Sequence, residues 1–309
     1  MNRRSILRGL ALGAAATPAA VLLSGPAQAA TYSVVATEQV ANRLYVWPTG
    51  KSLSWDNRSW SWSPGTGGWS NLSDVRLRNT SAHGWVVLTA ASGGRVGIIN
   101  HTSEKDAELN DLLWYATPGG NPHAIERIEN NGSIVAASSN GYLTLYSPTA
   151  ISKPSTLAKV ASYSLPGAHG VLWDPGSKLL WAIGDKVIRW YAVTGTYRGT
   201  RLALKGSKAI SGLGHDLQPD YKDKTRLLFT ASYGTYAINT ATKAVTTLSS
   251  ETRVKALARH SSGEYVSIRA DNTGSRTWGS PTLRFSTLAD RSRTGAEFYK
   301  VRIWTPSYE

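Results

Sequence analysis

A repeat limits what this chain can become more than any other feature. Six hairpins share one design: a strand of small and β-branched residues, a tight turn, then a second strand ending in an aromatic or aliphatic residue. They are SVVATEQVANRLYVW from Ser33, WVVLTAASGGRVGIIN from Trp85, SIVAASSNGYLTLY from Ser133, LLWAIGDKVIRWYAV from Leu179, LLFTASYGTYAIN from Leu227 and YVSIRADNTGSRTWGSPTLRFST from Tyr265. Gly93-Gly94, Asn140-Gly141, Gly184-Asp185 and Tyr233-Gly234 fall at the turns, where hairpin geometry asks for residues that tolerate positive φ. A recurrence of about 40 to 50 residues is the period of a four-stranded propeller blade. It predicts an all-β chain folded as a single β-propeller of six four-stranded blades. AEFYKVRIW from Ala296 reads as one more strand, placed to join the first blade and close the ring. The irregular stretch 100–113 leaves seven blades open. A β-sandwich is the alternative fold, but it does not predict the repeat.

Residues 1–29 stand outside the repeat. Arg3, Arg4 and Arg8 precede an apolar run, and Ala27-Gln28-Ala29 offers a small-x-small cleavage site. This is the pattern of a secretory signal peptide; interrupted by Pro18, it is too short for a membrane span. The paired arginines before Ser5 point to twin-arginine export of a folded protein. The expected organisation is a signal peptide over 1–29 and one propeller over 30–309, secreted, monomeric and without a membrane span. With no cysteine in the chain, no disulfide supports the fold and no lipid anchor is available. Lys and Arg number 34 against 20 Asp and Glu, a net charge of +14. Outside a cell such an excess favours acidic polysaccharide or cell-wall polymer as partner, although charge alone also serves solubility. The basic residues are scattered and lack interleaved RNA-binding aromatics, which argues against nucleic acid.

The repeat also aligns three histidines. NPHAIERI from Asn121, GAHGVLWD from Gly167 and LGHDLQPD from Leu213 fall at the same place in consecutive units. His123, His169 and His215 lie 12, 11 and 13 residues ahead of Val135, Leu180 and Leu228. Lys255 lies 11 residues ahead of Val266 in the last unit. Innermost strands line a propeller's channel, so these side chains are expected to rim one mouth. Arg76, Lys300 and Arg302 are expected to complete the ring, with Glu126 and Asp216 beside them as substrate-binding groups. A propeller histidine often only bonds neighbouring strands, but a structural one should recur in every unit, and these do not.

Two chemistries fit such a ring. Neutral imidazoles of His123, His169 and His215 could hold one divalent metal, with Glu126, Asp174, Asp216 or Gln218 as further ligands. Alternatively a histidine acts as base or acid, and the cations hold an anionic substrate. Few acids are present, which fits a two-carboxylate glycosidase poorly. Proton abstraction beside a uronate carboxylate fits better, with Tyr142, Tyr233 or Tyr299 as partner. Trp55, Trp60, Trp62 and Trp69 crowd one stretch, and packing between blades is their expected use. The chain carries no G-x-S-x-G elbow, H-E-x-x-H helix or phosphate loop.

NPHAIE, AHGVLWD, GHDL and the terminal EFYKVRIW together resemble an uncharacterised family of secreted bacterial propeller proteins, carried as a domain of unknown function. The resemblance implies fold and export over the whole exported chain, and no activity. More loosely, channel histidines on a propeller are similar to those of propeller-fold polysaccharide lyases acting on uronate-containing glycans. The expected function is binding of an acidic, uronate-containing glycan at a basic, histidine-lined mouth, in its sharpest form with cleavage by β-elimination. His169 and His123 would be base or metal ligand, and Lys255 and Arg302 would hold the carboxylate. The alternative is a non-catalytic carbohydrate or cell-wall binding protein. A redox or quinone propeller enzyme is the third class, and nothing in the sequence points to its cofactor.

Overall fold

The computed structural model describes residues 31–308, apart from Thr66 and Ser103. The signal peptide read over 1–29, and the export route with it, lie outside the described residues. The chain folds as an all-β propeller arrangement. Among the described residues, helix is limited to three single 3-10 turns, Leu109–Asp111, Pro154–Thr156 and Tyr197–Gly199. Among the described residues, no helix is long and apolar enough to cross a membrane.

The strands form five sheets, not six or seven blades. The first holds Ser33–Glu38, Arg43–Pro48 and Trp60–Trp62, with Phe298–Ile303 along its inner edge. In that edge Val34 faces Ile303 and Val35 faces Arg302. Leu72–Thr80, Gly84–Ala91, Arg95–Asn100 and Leu112–Ala116 make the second sheet. The third runs from Pro122–Arg127 through Ile134–Ser138 and Tyr142–Ser147 to Ala158–Ser164. The last begins with Val254–Arg259 and Tyr265–Arg269.

The lower count arises in the fourth sheet, which has six strands. Two of them, Leu179–Thr194 and Arg201–Pro219, run unbroken through positions where the sequence suggests turns. Lys186 at φ 56° marks the bend beside Gly184-Asp185. Ahead of it Ile183 pairs with Gly170 and Asp185 with Leu213; past it Val187 pairs with Ala209. Backbone pairing thus continues across two sequence repeats and joins them into one sheet. The stretch 100–113 adds no blade: Asp106–Ala107 pairs in parallel with Trp60–Trp62.

Burial follows the sheet order. Pro122–Arg127, Gly170–Asp174 and Phe298–Ile303 are buried at every residue, whereas Ala158–Ser164 and Val245–Ser249 are largely open to solvent. Apolar side chains fill the spaces between neighbouring sheets. Trp60, Trp62 and Trp69 pack with Leu72 and Val87 between the first two sheets. Each indole removes about 150–250 Å² from water, or about 4–6 kcal/mol of gross hydrophobic stabilisation. Trp55 remains half exposed, with the Arg58 guanidinium 3.4 Å over its ring.

Candidate functional site

A backbone irregularity repeats at the start of the innermost strands, and the candidate residues sit on it. In the second sheet Leu72 and Asp74 pair with Ala91 and Ala90, leaving Ser73 as an extra residue. His123 is the extra residue between Pro122 and Ala124, His215 between Gly214 and Asp216, and Lys255 between Val254 and Ala256. On the Phe298–Ile303 strand, Tyr299 and Lys300 together oppose Thr37. His169 takes the corresponding place just ahead of Gly170–Asp174, its amide donating to the Ile183 carbonyl at 2.9 Å. A bulge bends its strand and re-aims the side chain it carries. Ser73, His123, His169, His215, Lys255 and Tyr299 form the resulting set.

The residues ahead of the bulges explain the rings' orientation. Asn121 and Gly167 both sit at φ 62°, a conformation open to Asn and Gly. Their carbonyls turn back to the residue two places on. His123 Nδ1 lies 3.0 Å from the Asn121 oxygen, and His169 Nδ1 lies 2.8 Å from the Gly167 oxygen. A carbonyl only accepts, so Nδ1 carries the proton in both rings and Nε2 keeps its lone pair. In the third ring the left-handed residue, Gly212, stands one place further back. His215 Nδ1 is accordingly buried without a partner, and its Nε2 meets Lys255 Nζ at 3.3 Å.

The three histidines, Lys255 and Tyr299 line one cavity of about 400 Å³. The rings of His123 and His169 are 4.2 Å apart, His169 and His215 5.7 Å, and His123 and Tyr299 5.9 Å. Among the described residues no carboxylate lines this cavity. Burial and the nearby ammonium groups of Lys300 and Lys255 push His123 down to about 4. Burial, with Lys255 and Lys300, takes His215 to about 3, and burial beside His123 holds His169 well below the ordinary range. All three imidazoles are therefore neutral at pH 7. Burial, with Arg253, lowers Lys255 to about 8.

The other expected ring residues lie deeper and are used internally. Arg302 bridges Asp74 at 2.7 Å and Asp216 at 2.8 Å, both fully buried. Arg76 donates to the carbonyls of Ile125 at 3.1 Å and Val171 at 3.0 Å, and to Gln218 Oε1 at 3.3 Å. Glu126 accepts two bonds from Arg78, at 2.9 and 2.7 Å. Lys300 Nζ lies 3.4 Å from Asp216 and donates to the backbone carbonyls of His215 and Lys255. These groups form an ionic floor beneath the cavity. Asp174 caps the turn that follows it, accepting from the Gly176 amide at 3.1 Å and from the Ser177 hydroxyl. Tyr142 donates to the Pro118 carbonyl at 3.1 Å, and Tyr233 is exposed.

The geometry gives the metal reading no support. Among the described residues, no three His, Cys, Asp or Glu are arranged to hold a metal ion. The Nε2 lone pair of His215 faces the Lys255 ammonium, and two lysines lie where a cation would be repelled. Of the further ligands expected, Glu126 and Asp216 are committed to arginines, Asp174 to the turn that follows it, and Gln218 Oε1 accepts from Arg76.

The cavity also contains residues that sequence reasoning passed over: Gln39, Asn71, Asn121 and Trp278. The indole of Trp278 donates to Gln39 Oε1 at 2.8 Å, and Asn71 Oδ1 accepts from Arg276 at 2.9 Å. Asn71 and Asn121 have a sequence signal, an Asn just ahead of a strand at a left-handed position. Gln39 and Trp278 come from loops and have none.

Residues 51–263 match the model of a family of unknown function (DUF6528). The match takes in the three histidines and Lys255. It ends before EFYKVRIW, so the likeness is narrower than residues 30–309. No curated protein matches the chain.

Proposed function

The chain belongs to that family of unknown function, and since the family brings no activity with it, we propose from the site's own chemistry that this exported propeller binds an acidic, uronate-bearing saccharide at its histidine-lined mouth. The observation that carries the reading is the meeting of Lys255 with three neutral imidazoles in a cavity lined by no carboxylate. An anionic ligand entering there finds one ammonium and no like charge. Lys255 pairs with the uronate carboxylate, Asn71 and Asn121 offer amides to hydroxyls, and the Trp278 ring offers a flat face to a sugar. Arg302 and Lys300 act from below by fixing the strands, since their charges are already satisfied. The pairing of Phe298–Ile303 with Ser33–Glu38 is read as the closure of the ring.

In the catalytic form of this reading, Nε2 of His169 or His123 takes the proton from the carbon next to the carboxylate. The C–O bond at the neighbouring carbon breaks, and Tyr299, which burial keeps protonated, gives its proton to the leaving oxygen. The product is an unsaturated uronate and a new chain end, and the proton returns from the imidazole to the phenolate. One feature favours binding without cleavage: imidazoles pushed to about 4 and below are weak bases.

Incubation with uronate polymers and oligomers, read by calorimetry and by the ultraviolet absorbance of an unsaturated product, tests both forms. Heat with rising absorbance supports cleavage. Heat without absorbance leaves a binding protein, and neither signal overturns the proposal. Lys255→Gln is expected to lower affinity at least tenfold, the loss of one charge-assisted contact of about 1.5–3 kcal/mol.

A further inference from the structure

We infer that the mouth is a dead end, and that it takes the terminus of an acidic chain or a free acidic sugar rather than the interior of a polymer. The inference rests on the acidic-saccharide reading and adds how such a ligand must enter.

A propeller's central channel can run through the molecule, but here it is stopped one residue below the cavity. Directly beneath His215 and Lys255, the Lys300 ammonium donates to both of their backbone carbonyls. Beside it Arg302 joins Asp74 and Asp216, and Arg76 reaches across to the carbonyls of Val171 and Leu217 at 3.0 and 3.2 Å. None of these side chains is more than a few per cent exposed. A second cavity, of about 620 Å³, lies at the far ends of the same strands and is lined by Asn79, Arg127 and Tyr308. The two cavities share no lining residue. A chain entering between the histidines therefore has no exit below.

Size adds a second constraint. At about 30 Å³ per displaced water, the upper cavity holds roughly 13 waters, which is room for one or two sugar rings. A polymer lying across the opening would leave its carboxylates at the rim, while a terminal residue can put its own against Lys255.

The test compares a uronate disaccharide, a short oligomer and the long polymer at equal uronate concentration, each titrated into the exported protein. Binding to ends predicts that a chain ten times longer binds about tenfold more weakly per uronate, because it carries a tenth of the termini. Reducing the terminal aldehyde of the oligomer to an alcohol then shows which end enters. Affinity per uronate that is independent of length overturns the dead-end inference and leaves the acidic-saccharide reading intact. No binding at any length overturns both. Lys255→Gln is expected to weaken binding at least tenfold at every length. His169→Gln serves the same purpose if the lysine variant fails to fold.

Discussion

Lys255 and Lys300 are near neighbours in space, and burial holds each amine at about 8. Their surroundings are opposite. Lys300 sits in a layer with Asp74, Asp216 and Arg302, where a carboxylate or carbonyl answers every cation. Lys255 sits one layer up, among imidazoles, with no carboxylate in the cavity wall. Apart from the Arg302 Nε, which is buried without a partner, the lower layer is satisfied, and it works as scaffold. The upper layer has hydrogen-bonding capacity left over, and such capacity is what a ligand uses. A charge census of the channel would count the two layers as one basic site, and partner geometry separates them.

Acid should separate them most forcefully. An unfolded histidine titrates near 6.5, whereas His123 and His215 are held at about 4 and about 3. Between those values the unfolded chain binds the extra protons, so stability is full above about pH 6.5 and falls as pH drops toward 4. Each histidine contributes up to about 1.4 kcal/mol per pH unit. His123 and His215 together remove a sizeable part of the net stability of an ordinary domain, about 5–15 kcal/mol, and His169, held low in the same direction, adds to the loss. Urea midpoints from pH 7 to pH 5 are expected to fall steeply. Replacing all three with Gln should flatten the curve, and a flat curve in the unsubstituted protein would contradict neutral buried imidazoles.

Arg302→Ala attacks the lower layer. It leaves Asp74 and Asp216 facing each other without their shared cation. Breaking a buried pair in this way costs about 3–5 kcal/mol. Chemical denaturation at pH 7 measures it, and a loss below about 1 kcal/mol would show that the layer is not the scaffold described.

The part of this comparison legible in sequence is the repeat and the positions it aligns. His123, His169, His215 and Lys255 share an opening because they occupy one slot of a repeating backbone. The depth of their neighbours was not legible. A bulge inserts one residue and resets the in-out alternation, and no residue type announces it. Hence Arg76, Lys300 and Arg302 read as rim residues and prove to be floor. The sheet count escaped for a related reason. Gly184-Asp185 has turn chemistry, yet the strand bends there and continues, because Asp185 finds a partner in Leu213. Gln39 and Trp278 reach the cavity through tertiary contacts of loops, which carry no periodic signal.

The smallest expected effect on stability is also the one that best sharpens the contrast. Lys300→Met removes donors from the His215 and Lys255 carbonyls and a cation from Asp216, so it should destabilise by about 2–4 kcal/mol. Lys255→Met removes a charge whose folded value, about 8, lies below the unfolded value near 10.4. A base depressed on folding contributes its stability above the unfolded value and loses it as pH falls through the folded one. At pH 7 the buried ammonium of Lys255 is therefore a net cost; Lys300 carries a similar one, but its removal strands two carbonyls and Asp216, whereas Lys255→Met strands none of these and should stabilise by about 1 kcal/mol. It should also raise the His215 value from about 3, since Lys255 is the largest charge acting on that ring, and proton NMR of the imidazole reads this shift. Stabilisation joined to loss of saccharide binding is the pattern of a group kept for its ligand. Destabilisation equal to that of Lys300→Met would place Lys255 in the scaffold and remove the distinction between the layers.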